Sequence, residues 1–118
     1  MPRLPVKSIE KVTLESLNPQ SAQDFTSRGW LYYTRQEYKQ AQTDFRRALE
    51  LKPEDPDILY ALGMSLAAGG DLVEAQQVFE KTLTALDAIS DRVRAHMLHR
   101  LASGHINRIR TGDWNLEH

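Results

Sequence analysis

The sequence contains no cysteine, which excludes disulfide bonds, thiolate nucleophiles and zinc sites built from cysteine. It also has no long apolar run, so we predict no segment that spans a bilayer and no membrane partner. The opening residues, Met-Pro-Arg-Leu-Pro, lack the apolar stretch of a secretory signal. We therefore expect a cytoplasmic protein, since the absence of disulfides is usual in that compartment.

An excess of charge of either sign is missing as well. Fifteen Lys and Arg residues stand against sixteen Asp and Glu residues, for a formal net charge of −1. Because phosphate binding depends on clustered cations, this balance argues against a general affinity for nucleic acid. Five arginines between residues 92 and 110 have only Asp91 as an acidic neighbour, and we interpret them as a solvated helix face.

Motifs of catalysis are absent too. The chain has no glycine-rich phosphate loop, nucleophile elbow or paired carboxylates, so we predict no enzyme activity and no cofactor. His96 and His99 lie one helical turn apart, but no acidic residue shares their face, and His105 lies nine positions beyond His96. Since two imidazoles do not complete a metal site, we predict no metal.

What the chain does contain, from Ala22 onward, is one internal repeat at a spacing of 34 residues. Phe25 recurs as Leu59, Gly29 as Gly63, Tyr32 as Leu66, Glu37 as Asp71, Tyr38 as Leu72, Ala41 as Ala75, Phe45 as Phe79 and Leu49 as Leu83. Stacked helical hairpins leave a period of this length, because each hairpin buries its apolar face only against the next copy. The repeat therefore predicts an all-α fold, a right-handed stack of antiparallel helical hairpins with about five helices.

Caps and breakers divide this region into helices. Three helices are predicted from about Gln20 to Thr34, from about Tyr38 to Leu51 and from about Pro56 to Ala68. A fourth is capped by Asp71 and runs to about Ala88, and a fifth is opened by Ser90 and runs to about Arg110. A shorter helix from about Ser8 to Leu17 is left open. Gly69-Gly70 supplies the left-handed residue that closes the second hairpin. The equivalent Arg35-Gln36 turn has no glycine, so we expect a strained or a different closure there, at a cost of about 1 kcal/mol.

The composition is that of one domain preceded by a short segment. Residues 1–20 form an N-terminal segment, either a short helix or disordered, and residues 21–118 form the helical domain. Within that domain, repeat one covers residues 22–55, repeat two covers 56–89, and a partial third repeat or capping helix covers 90–118. The segment's Leu4, Val6 and Ile9 are candidates to occupy a groove of this chain or of a neighbouring copy.

The fifth helix departs from the period. Gly104 follows Gly63 by 41 residues, seven more than the repeat, and seven residues add nearly two helical turns with a drift of about 20°. Its polar stripe comprises His96, Arg100, Ser103, Asn107 and Arg110, and its predicted apolar side comprises Val93, Met97, Leu101 and Ile109. This pattern is typical of a cap with its polar stripe in solvent.

These residues resemble the tetratricopeptide repeat family. The first copy matches the family pattern at Phe25, Gly29, Tyr32, Ala41, Phe45, Ala48 and Pro53, with Arg28 where leucine is usual. The second copy matches at Leu59, Leu62, Gly63, Leu66, Ala75 and Phe79, with Thr82 and Asp87 in place of alanine and proline. Thr111-Gly112-Asp113-Trp114 looks like the hairpin turn of a third copy. The resemblance implies a stack of hairpins that binds other proteins.

The resemblance also implies a concave groove lined by the first helix of each hairpin, the A helix. The family's ligand-facing positions correspond here to Gln23, Thr26, Trp30, Tyr33, Thr34, Asp57, Tyr60, Met64, Ala67 and Ala68. Such aromatic and methionine side chains favour an apolar or amphipathic peptide segment of a partner protein. The alternative left open is that Trp30 and Met64 pack against each other or against the neighbouring A helix.

One binding mode of the family is not predicted for this chain. The clamp for the C-terminal carboxylate of a chaperone uses lysine and asparagine at positions where this chain has Thr26, Trp30 and Ala61. Two alternatives to the interaction scaffold remain at this stage. One is a self-assembling structural module, such as a homodimer, and the other is an accessory interaction domain of a larger enzyme or regulator.

Overall fold

The computed structural model describes Leu14 and residues 17–112, and it is all-helical there, as predicted. Its helices are α1 (Ala22–Thr34), α2 (Tyr38–Leu51), α3 (Pro56–Ala68), α4 (Leu72–Ala85) and α5 (Arg92–Thr111), with a 3₁₀ turn at Leu86–Ala88. Helices α1 and α2 pack as one hairpin and α3 and α4 as a second, while α2 contacts α3 and α4 contacts α5. The chain is therefore a stack of hairpins, with α1, α3 and α5 in the place of A helices.

The segment before α1 is described only in part. The predicted helix from Ser8 to Leu17 lies outside the described residues except for Leu14, which is helical and buried, and Leu17, which is exposed. The suggestion that Leu4, Val6 and Ile9 occupy a groove also lies outside them.

Helix starts follow the polar residues that precede them. The Asp55 carboxylate accepts hydrogen bonds from the amides of Asp57 and Ile58, at 2.9 and 3.3 Å, with Pro56 in the first turn of α3. These bonds satisfy amides that have no partner inside the helix. Helix α1 begins later than predicted, at Ala22, because the Ser21 hydroxyl caps it.

The start of α5 corrects a predicted cap. We expected Ser90 to open this helix, but the Asp91 carboxylate accepts the hydrogen bond from the amide of Arg94, at 3.1 Å. A carboxylate in this position also interacts favourably with the positive end of the helix. The predicted stop at Gly112 is confirmed, since this glycine has a φ of 77°.

The two hairpin turns close in the same way with different residues. Gly70 has a φ of 93°, and Gln36 at the equivalent position has a φ of 61°. In both turns the amide of the next residue reaches back across the helix end, from Glu37 to the carbonyl of Tyr32 and from Asp71 to that of Leu66, each at 2.9 Å. The strain predicted at Arg35-Gln36 is therefore located at Gln36.

Helix α4 is shorter than predicted. We expected it to continue to Ala88, but it ends at Ala85 and tightens into the 3₁₀ turn. This turn buries Leu86, and the extended backbone at Ile89 buries that side chain against Ala95 and Leu98 of α5. A straight continuation of α4 would not bring both side chains to the start of the next helix.

The centre of each hairpin is a phenylalanine ring that lies on a glycine. Phe45 and Phe79 are fully buried, and a Cβ atom added to Gly29 or Gly63 would lie 2.6 Å from the ring of its own hairpin's phenylalanine. That separation is too short for carbon atoms, so both positions require glycine.

The buried face of α5 differs from the prediction. Val93, Met97 and Leu101 were expected on its inward side, but they are 81%, 55% and 37% exposed. The buried residues are Ala95, Leu98, Ala102, Gly104 and Ile106. The prediction followed the larger apolar side chains, whereas close contact between helices favours small ones such as the two alanines. Helix α5 therefore carries a second apolar stripe that faces outward.

Candidate peptide-binding groove

The A helices enclose a hollow of about 420 Å³. Its walls are Tyr33 from α1, Met64, Ala67 and Ala68 from α3, Leu72 from α4, and His105, Arg108 and Ile109 from α5. We call this space the groove hollow. Volumes of about 300–1,000 Å³ are typical of binding pockets, so it has room for side chains of a bound segment.

Four of the ten predicted ligand-facing residues line the groove hollow, namely Tyr33, Met64, Ala67 and Ala68. Their convergence follows from the stacking of the hairpins, which brings the ends of α1 and α3 side by side. Met64 and Ala67 are half-buried and pack against the main core, so the wall is supported from behind.

Two further predicted residues form the support of this wall. The Trp30 ring is half-buried and packs edge-on against Tyr33 and Phe45, with ring centroids 5.3 and 5.2 Å apart. The Tyr60 ring lies near Phe79, at 5.8 Å. The Trp30 ring therefore packs on the core phenylalanine of α2 and on its own helix, whereas the alternative left open by the sequence was a contact with Met64 or with the neighbouring A helix.

The remaining predicted residues do not line the groove hollow. Thr26 and Thr34 donate their hydroxyl hydrogens to carbonyls of their own helix, those of Ala22 and Leu31, each at 2.7 Å. Asp57 forms an ion pair with Arg94 of α5. Gln23 is exposed on α1.

Sequence reasoning missed the contribution of α5. His105, Arg108 and Ile109 follow Met64, Ala67 and Ala68 by 41 residues each, the same separation that relates Gly63 to Gly104. The family pattern applies a spacing of 34 residues, so it does not reach these groove positions of α5. Leu72, on α4, was missed because only A helices were considered.

His105 connects α5 to the second hairpin. Its Nε2 atom lies 3.1 Å from the Tyr60 hydroxyl, and its ring stacks on Phe79 at 4.8 Å with an angle of 7° between the planes. Burial, together with the nearby charge of Arg108, lowers the pKa of His105 below 6.5. Burial also raises the pKa of Tyr60, with a smaller contribution from Tyr33. At neutral pH this hydrogen-bonded pair is therefore uncharged.

Other chemistry is sparse in the described part of the chain. Among residues 17–112 no three His, Cys, Asp or Glu side chains lie close enough to hold a metal ion, and His96 and His99 are exposed on α5. None of the described helices is both long enough and apolar enough to cross a membrane.

Stacked helical hairpins with a hollow between the A helices define a helical-repeat protein. The sequence model of the tetratricopeptide repeat family matches residues 26–91, more than half of the chain. The chain belongs to the tetratricopeptide repeat family, as the sequence predicted. Repeats of this family generally form protein-interaction modules without catalytic activity.

The chain is also similar to part of a larger curated protein, named "Probable biofilm formation methyltransferase WspC", from Pseudomonas putida strain KT2440. The two are 39% identical over 67 residues, which is 57% of this chain and 16% of that relative. The match therefore covers less than a fifth of the relative's length. No solved structure matches the chain significantly.

Proposed function

We propose that this chain binds an apolar or amphipathic segment of another protein in the concave groove formed by α1, α3 and α5. The observation that supports the proposal is the groove hollow, which collects apolar side chains from all three helices and from the start of α4. The ten residues predicted from the family pattern remain the proposed contact surface, with His105, Arg108 and Ile109 added to them.

The apolar lining indicates where the affinity would come from. Met64, Ala67, Leu72 and Ile109 present hydrocarbon to the hollow, and Tyr33 adds an aromatic ring. Burial of one leucine or phenylalanine side chain of a partner contributes about 1.5–3 kcal/mol. Two such side chains contribute about 3–6 kcal/mol, which is less than the about 8 kcal/mol of micromolar affinity. The remainder has to come from other contacts along the segment, and a groove that is already formed lowers the cost of binding.

A selection of random 12-residue peptides displayed on phage tests this proposal. We expect the wild-type chain to enrich related peptides that carry a bulky apolar residue. The substitution Ala68→Phe should weaken binding of an enriched peptide about tenfold, because the exposed Ala68 lines the hollow and its ring would fill it. Ala88→Phe is the matched control, since Ala88 is exposed in the 3₁₀ turn outside the hollow. Equal binding by both variants would remove the hollow from the proposal.

A second candidate is an accessory interaction module that works with a larger enzyme. It is supported by the similarity to a segment of a protein named as a probable methyltransferase. If this candidate is correct, a tagged chain should recover a methyltransferase from a lysate of its own organism. If no methyltransferase is recovered while the peptide selection succeeds, the result contradicts the second candidate and supports the first.

Self-association is a third candidate, and the outward apolar stripe of α5 favours it. Val93, Met97 and Leu101 lie at intervals of four residues on one exposed face, where a second copy would bury them. Light scattering over a hundredfold range of concentration should then show a dimer that Met97→Glu abolishes. A monomer at every concentration contradicts this candidate and has no bearing on the groove.

A further inference from the structure

One side chain stands out among the eight that line the groove hollow. Among the described residues of this lining, Arg108 is the only one with a permanent charge, and the other seven are apolar or carry a neutral ring at pH 7. It is also exposed, so its guanidinium is accessible beside the apolar wall. A binding pocket with one charge in an apolar lining takes its orientation and specificity from that charge.

Two other arginines of the A helices are already held by carboxylates. Arg28 pairs with Asp44 and Arg94 pairs with Asp57. None of the ion pairs in the described part of the chain includes Arg108. Within residues 17–112, no carboxylate therefore occupies the hydrogen-bond donors of the Arg108 guanidinium.

No described residue of the groove hollow compensates the charge of Arg108. No carboxylate is found in that part of its lining, and burial together with the charge of Arg108 keeps His105 neutral. The α5 wall thus combines apolar surface with positive potential. A carboxylate beside an apolar side chain is complementary to both features.

We infer that the groove hollow selects a partner segment that seats a bulky apolar side chain between Met64 and Ile109 and places an Asp or Glu side chain against Arg108. This inference rests on the proposed function and specifies its partner. A single guanidinium matches one carboxylate, since its paired N–H groups face the two oxygens in a planar arrangement.

The phage selection tests the inference when it is repeated with charge variants. Peptides fused through their C-terminus to the phage coat protein have no free terminal carboxylate, so any acid that is enriched is a side chain. Wild type should enrich peptides with Asp or Glu next to the apolar residue, and Arg108→Glu should lose this preference and enrich Lys or Arg instead. Arg100→Glu is the matched control, because Arg100 is exposed on the same helix and lies outside the hollow.

A charge exchange with synthetic peptides then identifies the pair. For an enriched peptide with an amidated C-terminus, replacing its Glu with Gln should weaken binding to wild type about threefold to tenfold. Replacing that Glu with Lys should restore binding to the Arg108→Glu variant. Fluorescence anisotropy at low and high salt should show that both oppositely charged combinations lose affinity with salt, whereas the Gln peptide does so much less.

The outcomes separate the inference from the proposed function. Enriched peptides without an acidic preference, or an Arg100→Glu variant that changes the selection as much as Arg108→Glu does, would overturn the inference and leave the groove intact. A wild-type chain that enriches no peptide would overturn both. Circular dichroism of each variant confirms that the helices are retained, so that a loss of binding is not a loss of fold.

Discussion

The two hairpins share one backbone plan but fill the same place in their interior with different chemistry. In repeat one, Arg28 of α1 meets Asp44 of α2 through two hydrogen bonds, Nε to Oδ2 and Nη2 to Oδ1, each at 2.8 Å. The residues 34 positions later in repeat two are Leu62 and Val78, both buried and apolar. The unusual arginine of the first copy is thus explained by the aspartate that faces it.

This difference shows that the space between the two helices of a hairpin has to be filled, and that either an ion pair or two apolar side chains can fill it. Burial alone stabilises an apolar pair, whereas the attraction within a buried ion pair must first offset the free energy that its two members lose when they leave water. The side chain of Asp44 is 3% exposed and that of Arg28 is 18% exposed, so both have lost most of their water. The arginine adds one contact that leucine cannot make, a hydrogen bond of 3.2 Å from Nη1 to the carbonyl of Leu17. This bond ties the backbone of Leu17, five residues before the start of α1, to the first hairpin.

Removing one partner of the ion pair should have the largest effect. We expect Asp44→Ala to lower the free energy of unfolding by about 3 kcal/mol, because it leaves the partly buried Arg28 guanidinium without its carboxylate partner. The double change Arg28→Leu with Asp44→Val, which transfers the chemistry of repeat two, should stay within about 1 kcal/mol of wild type. Urea denaturation followed by circular dichroism measures both. A loss below 1 kcal/mol for Asp44→Ala would show that the guanidinium recovers its hydration.

The next effect tests what the hairpins have in common. Gly29→Ala and Gly63→Ala should each cost about 1–3 kcal/mol, since the new methyl group would lie 2.6 Å from a phenylalanine ring in either repeat. The two losses should agree within about 1 kcal/mol, measured by the same denaturation. Phe79→Leu should recover part of the loss in the Gly63→Ala background only. If the two substitutions lower the free energy of unfolding by clearly different amounts, the glycine–phenylalanine contact is not equivalent in the two hairpins.

A smaller effect is expected at the turns. Gln36→Gly should stabilise the chain by up to about 1 kcal/mol, because glycine adopts a positive φ without the strain of a side chain. Gly70→Gln should destabilise it by a similar amount, and no atom lies within 4 Å of the added Cβ, so the effect is conformational. The shift in thermal melting temperature reports each sign. Shifts of the same sign would contradict the assignment of strain to Gln36.

The smallest effect concerns the histidine on the second phenylalanine. Because its folded-state pKa is lower than its unfolded value of 6.5, the folded chain binds a proton at His105 less readily than the unfolded chain does. Its contribution to stability is complete above pH 6.5 and is lost as the pH falls through the folded pKa. The difference in stability between wild type and His105→Phe should therefore change between pH 7.5 and pH 5. A constant difference across this range would show that His105 titrates as an exposed histidine does.

The helix boundaries could be predicted from the sequence where capping or helix-breaking residues mark them. Helices α2 and α3 have the predicted bounds, because Pro53 and the Asp55-Pro56 pair mark their ends clearly. The end of α4 was not predictable from a local signal, since the 3₁₀ turn forms to bury Leu86 and Ile89 against another helix. Long-range packing decided that boundary.

The family pattern names part of the lining of the groove hollow. Four of the residues that it predicts, Tyr33, Met64, Ala67 and Ala68, line this space, since their positions depend only on the stacking of equivalent helices. It missed Arg108 because the third A helix is displaced from the period by seven residues. The buried face of α5 was misjudged for a physical reason, namely that the helix has two apolar stripes and the one with small residues packs more closely.

The central claim is that the face shared by α1, α3 and α5 holds a partner segment, and amide chemical shifts test it most directly. A ¹⁵N-labelled chain would be titrated with a peptide that the selection enriches. We expect the largest changes in amide chemical shift at the residues that line the groove hollow, above all Tyr33, Ala67 and Arg108. Shifts confined to α2 and to the outward stripe of Val93, Met97 and Leu101 would contradict it.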